Sequence, residues 1–241
     1  MLGNKKAHFL TLSLSVLMSI VARPAHADEV ISAVEFMALP EFCLSSLASS
    51  DFAARVPFEY RARRGSASPQ GGTGYTGAGI SGGHHFCMGI VYLNRAKRGI
   101  AGASAGAVQE FTYSQTRMDM DAPLYSYVSS YLGQALYRSG KRSHAMKVWA
   151  EAISVQPLAR ESYLAMAEAL LSERHPQEAL EVLQKFDQVK DVEYADAEHF
   201  MAQAYFELKR YDEAKLHLDK AYSLGYPFFG LRDKLKRLGK Y

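Results

Sequence analysis

The chain has 241 residues, 28 of them basic and 25 acidic, for a formal net charge of +3 and 48% hydrophobic content. So even a balance offers little of the concentrated basic surface that nucleic-acid binding requires. The hydrophobic fraction is that of a globular chain.

The first 27 residues read as an address rather than a fold. Lys5 and Lys6 give a positive start, an apolar run follows from Phe9 to about Val21, and Ala25-His26-Ala27 precedes Asp28. A basic start, a short apolar stretch and small residues at −3 and −1 describe a cleaved secretory signal. The alternative is a membrane anchor, but the run holds about 13 residues where spanning needs roughly 20. No cysteine lies near the cleavage point, so a lipid anchor is not expected, and no later stretch is apolar enough to span. The expectation is an exported protein in a periplasm, with no stable membrane anchor. The signal holds Lys5, Lys6 and Arg23 and no acid, so its removal leaves 25 basic residues against 25 acidic. The pI of 8.7 is thus partly a property of the signal.

Residues 28–62 mix apolar and small residues (Val30, Ile31, Val34, Phe36, Met37, Leu39), and Pro40 fits a helix start before Glu41-Phe42-Cys43-Leu44. One or two short helices are predicted. Residues 63–83 are dominated by Gly and Ser, from Arg64-Gly65-Ser66 through Gly71-Gly72 to Gly82-Gly83. They are expected to form a flexible surface loop. A phosphate-cradling loop would need a preceding strand and a Gly-Lys-Ser/Thr ending, and neither is present. Order is predicted to resume at His84-His85-Phe86-Cys87-Met88-Gly89, with a Gly/Ala-rich insert from Gly99 to Gly106.

Beyond residue 122 one pattern occurs three times. Ala145, Ala179 and Ala214 are spaced by 34 and 35 residues. Around them run Leu132-Gly133, Leu136, Trp149, Ala152 and Pro157; then Tyr163, Met166-Ala167, Leu170, Leu183 and Phe186; then Met201-Ala202, Tyr205, Leu218, Ala221 and Pro227. This resembles the tetratricopeptide repeat (TPR), with its aromatic-x2-Leu-Gly-x2-Tyr, Ala-x3-Phe and Pro positions. The resemblance implies an all-α fold: a right-handed α-solenoid of helical hairpins with an N-terminal helical extension. Three repeats span residues 123–228 (about 126–159, 160–194 and 195–228). Met88-Gly89 and Tyr92, with Ala107 and Phe111, resemble the same pattern, so residues 84–122 read as a degenerate hairpin stacked in front. Residues 229–241 read as a capping helix, with Phe228, Phe229, Leu231, Leu235 and Leu238 inward and Arg232, Lys234, Lys236 and Arg237 outward. A basic amphipathic helix at a membrane surface is the alternative for that segment. Taken with Leu39-Pro40-Glu41-Phe42-Cys43 and His84-His85-Phe86-Cys87-x-Gly89, the chain is also similar to a group of exported TPR proteins of proteobacteria, a likeness that implies no particular activity.

Cys43 and Cys87 read first as one disulfide, as expected of an isolated pair in an oxidising compartment. Such a bridge closes a loop of about 45 residues and stabilises by about 4 kcal/mol on the loop-entropy model. Alternatives are a zinc or copper site from His84, His85, Cys87 and Cys43, a catalytic Cys–His pair, or two separate thiols. No acid/base pair or nucleophile has convincing spacing, so no enzyme and no cofactor is expected.

The resemblance implies that the first helix of each pair lines an inner face. In the first repeat these positions are Tyr127, Ser130, Gln134, Tyr137 and Arg138. In the second they are Glu161, Leu164, Glu168, Leu171 and Ser172, and in the third Asp196, His199, Gln203, Phe206 and Glu207. The Lys and Asn with which some TPR proteins grip an acidic C-terminus are absent. Four carboxylates against one Arg, with aromatic and aliphatic residues among them, predict an extended or helical protein ligand bearing basic and apolar side chains. The expected role is a periplasmic adaptor holding one component of a cell-envelope assembly: secretion, polysaccharide export, pilus or outer-membrane biogenesis. Self-association through Tyr125, Tyr127 and Tyr131 is a further expectation.

Overall fold

A computed structural model describes residues 30–61 and 79–241. The expected signal, residues 28, 29 and 62 of the expected N-terminal segment, and residues 63–78 of the expected loop lie outside the described residues. Among those residues every regular element is helical, as the pattern predicts.

The N-terminal segment begins with α1 (Ala33–Met37), started by a reciprocal cap. The Glu35 amide donates to Ser32 Oγ at 3.3 Å and the Ser32 amide donates to Glu35 Oε2 at 3.0 Å. Pro40 is the N-cap of α2 (Glu41–Ala48). Two short 3₁₀ turns follow, Asp51–Arg55 and Phe58–Tyr60. This segment is not a free extension. Ile31, Phe36, Leu39, Leu47, Phe52 and Val56 share one core with Phe86, Leu93, Phe111, Leu132 and Trp149. Burying these apolar side chains gives the segment its fixed place.

Two further links secure it. The Cys43–Cys87 disulfide is formed, with Cα atoms 5.4 Å apart. It joins α2 to α3 (Gly83–Lys97). Arg95 of α3 is buried and forks onto Glu35, Nε to Oε1 at 2.8 Å and Nη2 to Oε2 at 2.9 Å, and Arg98 joins them. The Arg95 guanidinium holds the Glu35 carboxyl well below the usual carboxylate range, against the opposing effect of burial.

Successive helices then pair: α3 with α4 (Ala103–Gln115), α5 (Tyr125–Arg138) with α6 (Arg142–Val155), α7 (Arg160–Ser172) with α8 (Pro176–Val189), and α9 (Ala195–Glu207) with α10 (Tyr211–Ser223). The packing rule is one small residue facing one large one. A Cβ on Gly133 would lie 2.1 Å from Nε1 of Trp149, so only glycine lets α5 sit against that indole. In the α3–α4 pair, a Cβ on Gly89 would lie 2.5 Å from Phe111. The degenerate front hairpin is therefore built by the same contact. The expected Gly99–Gly106 insert is shorter than the composition implies. Gly99 and Gly102 make the turn with positive φ, but α4 starts at Ala103 and Gly106 lies within it against the Tyr92 ring.

Half-buried Met146 and Met166 join the first core to that of the next pair, and Phe206 joins that one to the last. Helix α11 (Gly230–Arg237) closes the stack by burying Leu231 and Leu235 against Ala202 and Leu218. The expected inward face is only half correct, since Phe228, Phe229 and Leu238 are exposed. The tyrosine cluster expected to serve self-association is divided, with Tyr127 and Tyr131 half-buried and Tyr125 inside. Tyr125 is buried and receives a hydrogen bond from Gln115, and Tyr131 packs against Phe86 and Phe111.

Candidate functional site

The first helices of successive hairpins, α5, α7 and α9, stand side by side. Small residues allow it. Ser126 and Ser162 are buried, with hydroxyl oxygens 3.1 Å apart. The Gln156 side chain ties the start of α5 down, accepting from the Ser126 amide at 3.0 Å and donating to the Ala122 carbonyl at 2.6 Å.

A depression of about 240 Å³ opens across these helices. Tyr127, Ser130, Tyr131 and Gln134 of α5 line it, with Arg160, Glu161, Leu164, Ala165 and Glu168 of α7 and Asp196 and Phe200 of α9. The Tyr127 and Tyr131 hydroxyls are 3.4 Å apart. Burial, and then the Tyr127 hydroxyl, push the Tyr131 phenol up, so it stays neutral at any ordinary pH. Arg160 lies over the Tyr194 ring at 4.5 Å and reaches Glu161 at 3.7 Å and Asp196 at 3.8 Å. These are loose, half-exposed pairs of little energetic weight. Glu168 is exposed at the rim and has no ion-pair partner among the described residues. The depression therefore combines an apolar and aromatic floor with a surplus of negative charge.

Of the inner-face positions expected from the sequence, Tyr127, Ser130, Gln134, Glu161, Leu164, Glu168 and Asp196 converge here. The others do not. Tyr137 and Ser172 are hydrogen-bonded to one another at 2.9 Å beyond the depression, and Arg138 is exposed at the end of α5. Leu171 is 4% exposed and belongs to the core with Ala167 and Leu180, so it has no surface to offer a ligand. His199 is stacked on Tyr226 at 4.0 Å, with Nδ1 buried and unpartnered. Gln203 donates to Glu207 on the exposed face of α9, and Phe206 packs on Tyr211. Tyr131, Ala165 and Phe200 were missed, although they occupy one equivalent position in the three repeats. Arg160 was missed because it is the first residue of its helix.

The two other constellations are internally satisfied. The Cys43 and Cys87 sulfurs are bonded to each other, so neither serves as a thiolate ligand or nucleophile. The metal and Cys–His readings built on them are set aside. His85 contacts Glu110 at 2.6 Å, stacks on Tyr113 at 3.7 Å and meets Phe52 edge-on at 5.1 Å, which pins α3 to α4. His84 is lowered by burial and then by His85. Elsewhere, Asp187, Glu193 and Glu198 bring carboxylate oxygens within 4.8 Å of one another. The Lys190 ammonium already contacts all three, and Lys220 contacts two of them. Burial raises the Glu198 carboxyl, but hydrogen bonds from His217, Lys220 and Lys190 overcome this and hold it far below its ordinary value.

An all-helical stack of paired helices with a surface depression across its first helices is the architecture of an α-solenoid scaffold. Residues 195–224, which cover α9 and α10, match the family model described as tetratricopeptide repeat. Such repeats generally mediate protein–protein interaction and are typically non-enzymatic, so the match supports a protein-interaction scaffold. No curated protein matches the chain. No described helix is long and apolar enough to cross a membrane.

Proposed function

We propose that this chain is a non-enzymatic, exported adaptor whose α5–α7–α9 depression holds a segment of a protein partner in a cell-envelope assembly. The observation that carries the reading is the depression itself: Tyr127, Tyr131, Leu164 and Phe200 give apolar purchase, while Glu161, Glu168 and Asp196 outnumber Arg160. A segment carrying a Lys or Arg beside apolar residues complements it, the stem lying on Leu164 and Ala165 and the charge meeting Glu168. Export is supported by the basic-apolar-small pattern of residues 1–27 and by the Cys43–Cys87 bond, which suits an oxidising compartment.

The test is site-specific photo-cross-linking in living cells. A photoreactive residue at Leu164 is expected to capture an envelope protein, and Glu168→Lys should reduce that capture about tenfold, equivalent to about 1.4 kcal/mol. The same reagent at exposed Lys185 of α8 should capture none of it. Equal capture from Lys185, or capture indifferent to Glu168→Lys, removes the depression as the binding site. An N-terminus that does not begin at Asp28 in the purified protein removes the export reading.

A further inference from the structure

The end of the stack carries a feature that a groove-binding scaffold does not need. Phe228 is 68% exposed and Phe229 46% exposed just before α11, and Leu238 is 52% exposed just after it. Helix α11 has eight residues, so these apolar groups flank a helix of about 12 Å. Five cations share the same end: Arg232, Lys234, Lys236, Arg237 and Lys240. Within residues 228–241 one acid, Asp233, opposes them, and its contact to Arg232 is a loose 3.9 Å. Lys234, Lys236, Arg237 and Lys240 have no ion-pair partner among the described residues.

Charge is therefore segregated along the chain. Residues 228–241 hold five basic residues and one acidic, net +4, whereas the whole chain is +3, so everything before residue 228 is net −1. Several cations also lie over aromatic rings. Arg232 is 4.2 Å from the Phe229 ring centre, and Lys236 and Lys215 lie over Tyr241 at 5.7 and 5.3 Å. A ring contact supplies no counter-charge of its own, although the Tyr241 hydroxyl donates to Asp219 nearby.

We infer that the C-terminal end of this protein docks on an anionic lipid surface. Leu231 and Leu235 are committed to the core, so α11 does not leave the stack to insert. It presents its free cations to headgroups while Phe228, Phe229 and Leu238 enter the interfacial layer. Charge complementarity favours a bilayer carrying acidic headgroups, and the exposed phenylalanines favour a surface with an apolar layer beneath the charge. The attachment is weak and reversible, because a few cations and shallow side chains fall short of an anchor. The acidic depression on α5, α7 and α9 is a separate surface of opposite charge.

Phe228→Trp makes the test direct, since Trp149, the chain's one tryptophan, is fully buried. Emission is followed as vesicles of phosphatidylcholine with phosphatidylglycerol, or of phosphatidylcholine alone, are added to the purified protein. The expected result is a blue shift and co-sedimentation with the anionic vesicles only, weakening as salt is added. Lys234→Gln, Lys236→Gln and Lys240→Gln should each lower the vesicle affinity by about fivefold. These side chains are exposed, and unchanged thermal unfolding will show that the cap remains folded. No shift with anionic vesicles, an equal shift with neutral ones, or affinity unchanged by the three substitutions overturns the inference. An emission shift with polyglutamate but not with vesicles also overturns it and assigns the surface to an acidic protein.

Discussion

Gly133 is where the packing of the first repeat is most exposed to a single methyl group. In Gly133→Ala the new Cβ would meet Trp149 Nε1 at 2.1 Å, Cε2 at 2.4 Å and Cδ1 at 2.7 Å. The first distance is roughly 1.4 Å short of van der Waals contact. Trp149 is fully buried and its indole N–H donates to the Ser130 carbonyl at 3.1 Å, so it cannot retreat without breaking that bond. Overpacking costs about 1–3 kcal/mol, and leaving a buried donor or acceptor unpaired costs about 1–3 kcal/mol more. The helix-propensity gain of alanine over glycine offsets about 1 kcal/mol. The expected net loss is about 3 kcal/mol, or a fall in Tm of roughly 6–12 °C for a chain of this size. Urea unfolding followed by circular dichroism and by Trp149 emission reads both the stability and the displacement. The second and third repeats pair Ala167 with Leu183 and Ala202 with Leu218 at the corresponding positions, so Gly133→Ala with Trp149→Leu should recover more than half of the loss. A single variant as stable as the parent, or a double variant whose losses simply add, would refute the small-against-large rule.

Four other outcomes are expected. Replacing Cys43 and Cys87 by Ser should cost up to about 4 kcal/mol by the loop-entropy model, seen as a lowered Tm that reducing agent reproduces in the parent. His199 is pushed down from 6.5 to about 4 by burial. Its neutral form is thus the native one, and the stability it contributes is complete above pH 6.5 and lost as pH falls toward 4. His199→Phe keeps a ring on Tyr226 and should flatten the stability profile across that window while leaving pH 7 stability within about 1 kcal/mol. Glu198→Gln leaves Lys190 and Lys220 short of their buried counter-charge and should cost about 3 kcal/mol at pH 7. The native carboxyl lies below its unfolded value of 4.5, so that difference should shrink as the pH of a urea titration falls below 4.5. Lys209 and Arg174 adopt φ of 61° and 62° where the first repeat has Gly140 at 79°. Lys209→Gly should therefore raise stability by about 0.5–1 kcal/mol in chemical denaturation.

Periodicity and the alternation of small with large residues by themselves determined the helical hairpins. Ala145, Ala179 and Ala214 recur at the repeat length, and each shares its helix face with a bulky residue four positions on. The Met88-Gly89 and Ala107-x3-Phe111 fragments signalled the front hairpin for the same local reason. The disulfide was legible because two isolated cysteines behind a signal-like leader pattern have few other expected uses. Tertiary structure alone decided what those helices leave open. A period places Leu171 and Glu168 on one side of α7, but the crossing of α8 buries the first and frees the second. Nothing local announced that Arg95 would reach across 60 residues to Glu35, or that the N-terminal segment would become part of the first core. The same holds for Phe228, Phe229 and Leu238. They belong to an apolar pattern that reads as inward, yet the end of the stack has room to bury only Leu231 and Leu235. Local pattern sets which residues form helices, because hydrogen bonding and periodicity act within a few turns. Which faces remain at the surface depends on the elements packed against them, and that is a property of the assembled chain.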